Sequence, residues 1–386
     1  MMVMRNTEAL AWVTTVIAGQ QPSWSFAREV EPSIELTDLA GVEGVTALFN
    51  SRLRTSIDAL EAWAFSIPHP TQQAFQEATI SAAVLSMLLE GETRRMLGAM
   101  AQADISGLLL KGQAIAQWAY PDPSLRASGD IDVLVATREA ADRLARSLCD
   151  SGYELFQPSG DLVALEMMLR REVAPGLWVE IDLHCRVINS PLFSERFTFD
   201  ELMAESIALP RLGPNALGLG PAHAFIHACM HWAATLAVGA EIRLKWVYDI
   251  PAFARVFSPA DWQRLQQLAV ERGLAGVCLS MIEASQATFG ADFVAVPDDL
   301  IAALREAARH ESLDVTRLRD WRYMQMQAFL AQPTMRLRAR YLWQRLWPSR
   351  DYMAYLYGRQ DLGYWGLIGI RVRTAVRRLL GLKVSG

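Results

Sequence analysis

Two aspartates one residue apart, Asp130 and Asp132, open the segment DIDVLV. Side chains of an extended strand alternate with a period of two, so a D-x-D pair projects both carboxylates from one face. Like charges this close are costly unless a cation neutralises them, and such hard oxygen ligands suit magnesium, with manganese as an alternative. The apolar run VLV follows directly. It puts the pair at the mouth of a buried strand, where a charge needs a reason to be present.

A third carboxylate comes from WVEIDLHCRV, which places Glu180, Asp182 and His184 on one strand face, opposite Val179, Ile181 and Leu183. Asp182 is the best candidate to complete a carboxylate triad, with Glu180 and His184 behind it. A two-metal site holds its ions ~3.5–4 Å apart and is naturally built from three carboxylates. An edge strand with a wet polar face is the alternative for this segment.

An anion cradle is suggested by GLLLKGQAIAQW, where Lys111 and Gly112 fall at a strand-to-helix turn. Backbone N–H groups and the positive helix end meet anions there, glycine permits close approach, and Lys111 supplies a point charge. Further along, His223, His227 and His231 recur every four residues, a row on one helix face that reads as packing histidines rather than a zinc site. In EIRLKWVYDIPAF, Lys245 and Asp249 are secondary candidates, although an i,i+4 salt bridge between them is an equal reading.

Residues 1 to about 100 carry helical periodicity in EALAWVTTVIA and ISAAVLSMLLEGETRRMLGAM. From residue 107 the pattern becomes strand (GLLLKG), helix (QAIAQWAY), loop (YPDPSLRASG), strand (IDVLV), helix (REAADRLARSLCDSGY, ending at Gly152) and strand (LWVEIDLHCRV). This order predicts a small mixed sheet with helices on one face. The Gly/Pro-rich PRLGPNALGLGP reads as a linker before a return to helices. The expectation is an α+β fold: an N-terminal helical region over 1–100, a sheet module over 101–212 and a C-terminal helical domain over 213–386.

The chain has 386 residues, 52% hydrophobic and 20% charged, which excludes disordered and fibrous classes. Its four cysteines (149, 185, 229 and 278) form no close pair, so reduced thiols are expected. Glu8 precedes the apolar patch LAWVTTVIAG and no cleavage-like segment follows, which favours a cytoplasmic protein without a signal peptide. From Arg336 onward ten Arg and one Lys face only Asp351 and Asp361, a net +9 that leaves −14 for the rest. The stretch LIGIRVRTAVRRLL is therefore either a terminal helix docked on the acidic body or, less favoured, a contact for an anionic surface. An acidic chain with a basic tail alone argues against a nucleic-acid polymerase.

Together, LLLKG, YPDPSLRASGDIDVLV, VEIDLHCRV, HAFIHACMHWA and RLKWVYDI resemble the polymerase-β-like nucleotidyltransferases, most closely their uncharacterised nucleotidyltransferase branch. The resemblance implies a palm-like sheet, with Asp130, Asp132 and Asp182 as ligands of Mg²⁺ (or Mn²⁺) and Asp182 doubling as base. It implies that Lys111, Gly112, Arg126, Ser128 and Gly129 surround the triphosphate; the residues' own placement adds Lys245 as a nucleotide-binding candidate and Glu180, His184, His227 and Asp249 as secondary ones. The expected reaction moves a nucleoside monophosphate from an NTP such as ATP to a hydroxyl of a small molecule, peptide or protein. Alternatives are a nucleotide-sugar donor in the same site, or a non-catalytic interaction module. Relatives usually carry Gly-Ser or Gly-Gly at the phosphate turn, where this chain has Gly112-Gln113.

Overall fold

The computed structural model describes residues 2–20, 32–59, 61, 64, 67, 69–157 and 166–379. Helices α1 (Met2–Ile17), α2 (Pro32–Glu43), α3 (Thr46–Asp58) and the long α4 (His69–Gln102) lead into strand β1 (Gly107–Leu109). Then come α5 (Lys111–Ala119), β2 (Asp130–Val135), α6 (Arg138–Asp150), β3 (Glu154–Gln157), β4 (Glu166–Ala174) and β5 (Leu177–His184). After α7 (Phe199–Ala204), β6 (Ile207–Ala208) and β7 (Leu217–Gly218), the chain is helical: α8 (Pro221–Ala237), α9 (Leu244–Val256), α10 (Pro259–Glu271), α11 (Ala275–Phe289), α12 (Ala291–Val294) and α13 (Asp298–Ala308). Four more helices close it: α14 (Trp321–Leu330), α15 (Met335–Leu346), α16 (Arg350–Leu356) and α17 (Tyr364–Leu379).

The α+β expectation holds. One seven-stranded sheet runs in the order β3-β4-β5-β2-β1-β7-β6. It is mixed: β2 pairs in parallel with β5, and antiparallel with β1, while β4 and β5 are antiparallel. Sequence periodicity gave β1, β2 and β5 but missed β3 and β4. The charges in EMMLRREVA blur its alternation, and only Met167 and Leu169 are buried along β4. The Gly/Pro-rich linker also holds β7, a two-residue strand too short for any pattern to reveal.

Ile131, Val133 and Val135 on β2 and Val179, Ile181 and Leu183 on β5 bury one sheet face against Leu89, Met96 and Met100 of α4 and Leu144 and Leu148 of α6. Helix α6 ends as its sequence suggests, with Gly152 in the left-handed conformation just past it (φ 91°); at its start the Thr137 side chain accepts from Ala140 N–H. A one-residue slip of β2 or β5 would turn these aliphatics outward and drive Asp132, Asp182 and His184 into the core, so burial itself fixes the register.

Helices meet the opposite, polar face too, a second layer that the strand-helix alternation did not show. There α8 and α9 belong to a larger core in which Phe225 and Phe253 lie 5.4 Å apart, and which also takes up α1 to α3. The N-terminal apolar patch lies on α1, burying Trp12, Val13, Val16 and Ile17 in that core. Among the described residues no helix is long and apolar enough to cross a membrane.

Candidate active site

Parallel pairing of β2 and β5 sets Asp130 opposite Glu180, Asp132 opposite Asp182, and Leu134 opposite His184. The three aspartates therefore share the polar face of the sheet. Asp132 (2% exposed) and His184 (1%) are the most enclosed, with His184 Nε2 3.0 Å from Asp132 Oδ1. On its other side His184 Nδ1 lies 3.7 Å from Glu166 Oε2, because Glu166 on β4 stands opposite His184. Glu166 escaped the sequence reading because β4 did. A polar residue alternating with Met167 and Leu169 was the available signal.

Lys111 donates to Asp132 Oδ1 at 2.5 Å. It opens α5 in the left-handed region, with φ 47°, unusual for a residue with a side chain. The turn glycine permits a close approach within the protein itself. Gly112 is not the left-handed residue; instead, a Cβ there would sit 2.1 Å from Ser128 Oγ and 3.2 Å from Arg126 Nη1. Its missing side chain lets the β1–α5 turn close against the loop that leads into β2. Gly129 carries no such demand, since a Cβ there would meet nothing within 4 Å.

Charge balance in this cluster is uneven. Burial opposes ionisation of Asp132, but Lys111 and His184 outweigh it and hold its carboxyl well below the usual range. Burial pushes Asp182 the other way, up to about 9, reinforced by the charges of Asp132, Asp130 and Glu166. Asp130 is also raised, by burial and then by Asp132. Lys111 stays firmly protonated because its carboxylate neighbours overcome the cost of burying it.

Arg126 and Asp249 form a buried bidentate pair, Nε to Oδ1 at 2.7 Å and Nη2 to Oδ2 at 2.8 Å, and Tyr120 donates to the same Oδ1 at 2.7 Å. This corrects the i,i+4 reading: Asp249 is 2% exposed and is held by Arg126 rather than by Lys245. The pair ties α9 to the loop before β2. Arg126 borders the site with its guanidinium already engaged by protein groups. Lys245 instead reaches the Ala127 carbonyl at 3.4 Å, its pKa lowered by burial and by Arg126. Nothing in the local sequence pointed to Tyr120, 129 residues from its partner.

The histidine row divides. His223 packs edge-on to Phe197 at 5.2 Å. His227 donates to the Val187 carbonyl at 2.8 Å, and burial, with Lys111 nearby, pushes its pKa down to about 3. His231 is depressed by the same causes and packs edge-on to Trp246 at 4.8 Å. Both are neutral walls at ordinary pH rather than cations.

A cavity of about 80 Å³, partly open to solvent, joins these parts; Lys111, Gly112, Arg126, Ser128, Asp130, Asp132, His227, His231, Lys245 and Trp246 line it. Ligand atoms of Asp132, Asp182 and His184 lie within 4.8 Å of one another, an arrangement able to hold a metal ion. Asp182 Oδ1 is buried without a hydrogen-bond partner. A buried, orphaned carboxylate oxygen beside a second carboxylate and an imidazole fits a divalent cation. The cluster differs from the expected triad in taking His184 where Asp130 was placed; Asp130 lines the pocket on the same face, one pleat away.

A family model described as an uncharacterised nucleotidyltransferase matches residues 33–290. No curated protein matches the sequence. Among solved structures, the crystal structure of an antigenic nucleotidyltransferase-like protein from Paracoccidioides brasiliensis is similar at 13% identity and a TM-score of 0.36, over 56% of this chain and 92% of that one.

Proposed function

Because the chain belongs to the uncharacterised nucleotidyltransferase family, we propose that it transfers a nucleoside monophosphate from an NTP to a hydroxyl acceptor, releasing pyrophosphate. The observation that carries this reading is the in-register pair Asp132 and Asp182, with Asp130 on the same face and the Lys111 turn against it.

Asp132, Asp182 and His184, with Asp130 beside them, are the residues that would hold the divalent metal. When bound, such a metal neutralises phosphate charge and aligns the attacking and leaving oxygens. The nitrogen donor of His184 widens the choice from magnesium toward manganese.

The protein's own groups do the rest. The first N–H groups of α5 and the Lys111 ammonium face the phosphates, and Gly112 keeps that turn tight against Ser128. Arg126, braced by Asp249 and Tyr120, fixes the loop that carries Ser128 and Gly129, while Lys245 offers a second positive charge across the pocket. Neutral His231, with Trp246 edge-on against it, lines the part of the pocket that would take the nucleoside. Asp182 Oδ1 is the candidate atom to receive the acceptor proton as the new P–O bond forms and the bond to pyrophosphate breaks.

Pyrophosphate release and equilibrium binding, measured with each NTP and with nucleotide sugars in Mg²⁺ or Mn²⁺, test the reading against Asp132→Asn and Asp182→Asn. Metal-dependent NTP binding that either substitution weakens is the expected result. Metal-independent binding, or binding indifferent to both, would sink it.

A further inference from the structure

The basic C-terminal segment does not dock its apolar side on the body. In α15, Met335 (70% exposed), Leu342 (47%), Trp343 (63%) and Leu346 (60%) are all in water. With the exposed Ala339 they form a stripe at spacings of 0, 4, 7, 8 and 11 residues, one face of a helix. Arg336 and Arg340 are exposed along one edge of it. Helix α17 repeats the design: Trp365 (75%), Gly369, Val372 (56%) and Val376 (47%) recur at 0, 4, 7 and 11, with Arg373 and Arg377 exposed along the same edge. The opposite side of α17 seats Leu367 against Met353 and Ala354 of α16.

We propose that α15 and α17 form a docking surface for an anionic lipid bilayer. Exposed tryptophans on an aliphatic stripe edged by arginines suit the headgroup boundary, where the ring and aliphatic carbons leave water while the guanidinium groups remain with phosphates. The segment from Arg336 onward carries +9 in a chain of net −5, so a negative surface attracts this part while repelling the body. Nucleic acid would satisfy the arginines but leave Leu342, Leu346, Val372 and Val376 in water, which favours lipid. No described helix is suited to span, so the attachment is peripheral and reversible. Helix α16, on which α17 rests, reaches the sheet beside the site. Tyr355 of α16 reaches the Met168 sulfur at 3.9 Å, and Met168 stands opposite Asp182 on the polar face of the sheet. The docking surface is independent of the nucleotidyl-transfer reading.

Sedimentation of the 386-residue chain with vesicles of phosphatidylcholine alone, or mixed with phosphatidylglycerol, tests this, with tryptophan emission followed in parallel. Expected are binding about tenfold tighter or more to the anionic vesicles, loss of that preference in high salt, and emission moving to shorter wavelength. Trp343→Ser with Trp365→Ser should abolish the emission shift, and Arg336→Gln with Arg373→Gln should weaken the anionic preference. All four positions are exposed, and circular dichroism with thermal unfolding checks that each variant is folded. Failure to bind, equal binding to both vesicles, tighter binding to duplex DNA or RNA, or self-association in solution lost in the same variants would each overturn the proposal.

Discussion

Asp132 and Asp182 stand directly opposite each other on adjacent parallel strands, yet are driven to opposite protonation behaviour. Asp132 is kept ionised by Lys111 and His184, while Asp182, with its Oδ1 lacking a partner, is pushed up to about 9. One member of the pair already has its counter-charges and the other does not.

Removing either carboxylate should therefore disable transfer for different reasons. Asp132→Asn and Asp182→Asn are each expected to lower pyrophosphate release by at least about 100-fold. Manganese binding, followed by electron paramagnetic resonance, should fall in both. Turnover within a few-fold of the unaltered protein would remove these residues from the chemistry.

In chelator, stability should fall as pH rises above about 7, where the buried histidines are neutral in the folded and unfolded chain alike and Asp182 sets the slope. The folded pKa of Asp182 lies above its unfolded value, so the native state binds more protons between about pH 4 and about pH 9. Stability from this group is complete below the unfolded pKa and lost as pH climbs through the folded one, by order of 1 kcal/mol per pH unit. Urea titrations should show the slope reduced in Asp182→Asn, and saturating divalent metal should flatten it. A slope identical in the variant would assign it to other groups.

Gly112→Ala places a Cβ 2.1 Å from Ser128 Oγ and 3.2 Å from Arg126 Nη1. A cost of about 1–3 kcal/mol is expected, together with weaker nucleotide binding as the turn opens. Ser128→Ala removes the closest clash, so the double variant should be less destabilised than the sum of the singles. Strict additivity in thermal unfolding would show that Ser128 does not set the constraint.

Asp249→Ala leaves the Arg126 guanidinium buried and uncompensated, at an expected cost of about 3–5 kcal/mol. Joint replacement, Arg126→Met with Asp249→Leu, should cost much less in stability and still impair nucleotide binding by loosening the loop before β2. Denaturant unfolding separates the two effects. A double variant as unstable as Asp249→Ala would mean that the site depends on the pair's shape rather than its charge balance.

Local sequence determined the parts whose physics is local. The D-x-D pair, the alternation of VEIDLH, the strand-to-helix turn at Lys111, the cap of α6 at Thr137 and its end at Gly152 depend on periodicity and on neighbours a few residues away. Contacts across the chain were decided only on folding. The β2–β5 register brings Asp132 to Asp182, the hairpin partner β4 delivers Glu166 to His184, and the packing of α9 takes Asp249 from its neighbour Lys245 to Arg126, 123 residues away. A buried carboxylate is held by whichever cation the surrounding apolar packing brings within reach, and spacing along one helix carries no record of that competition.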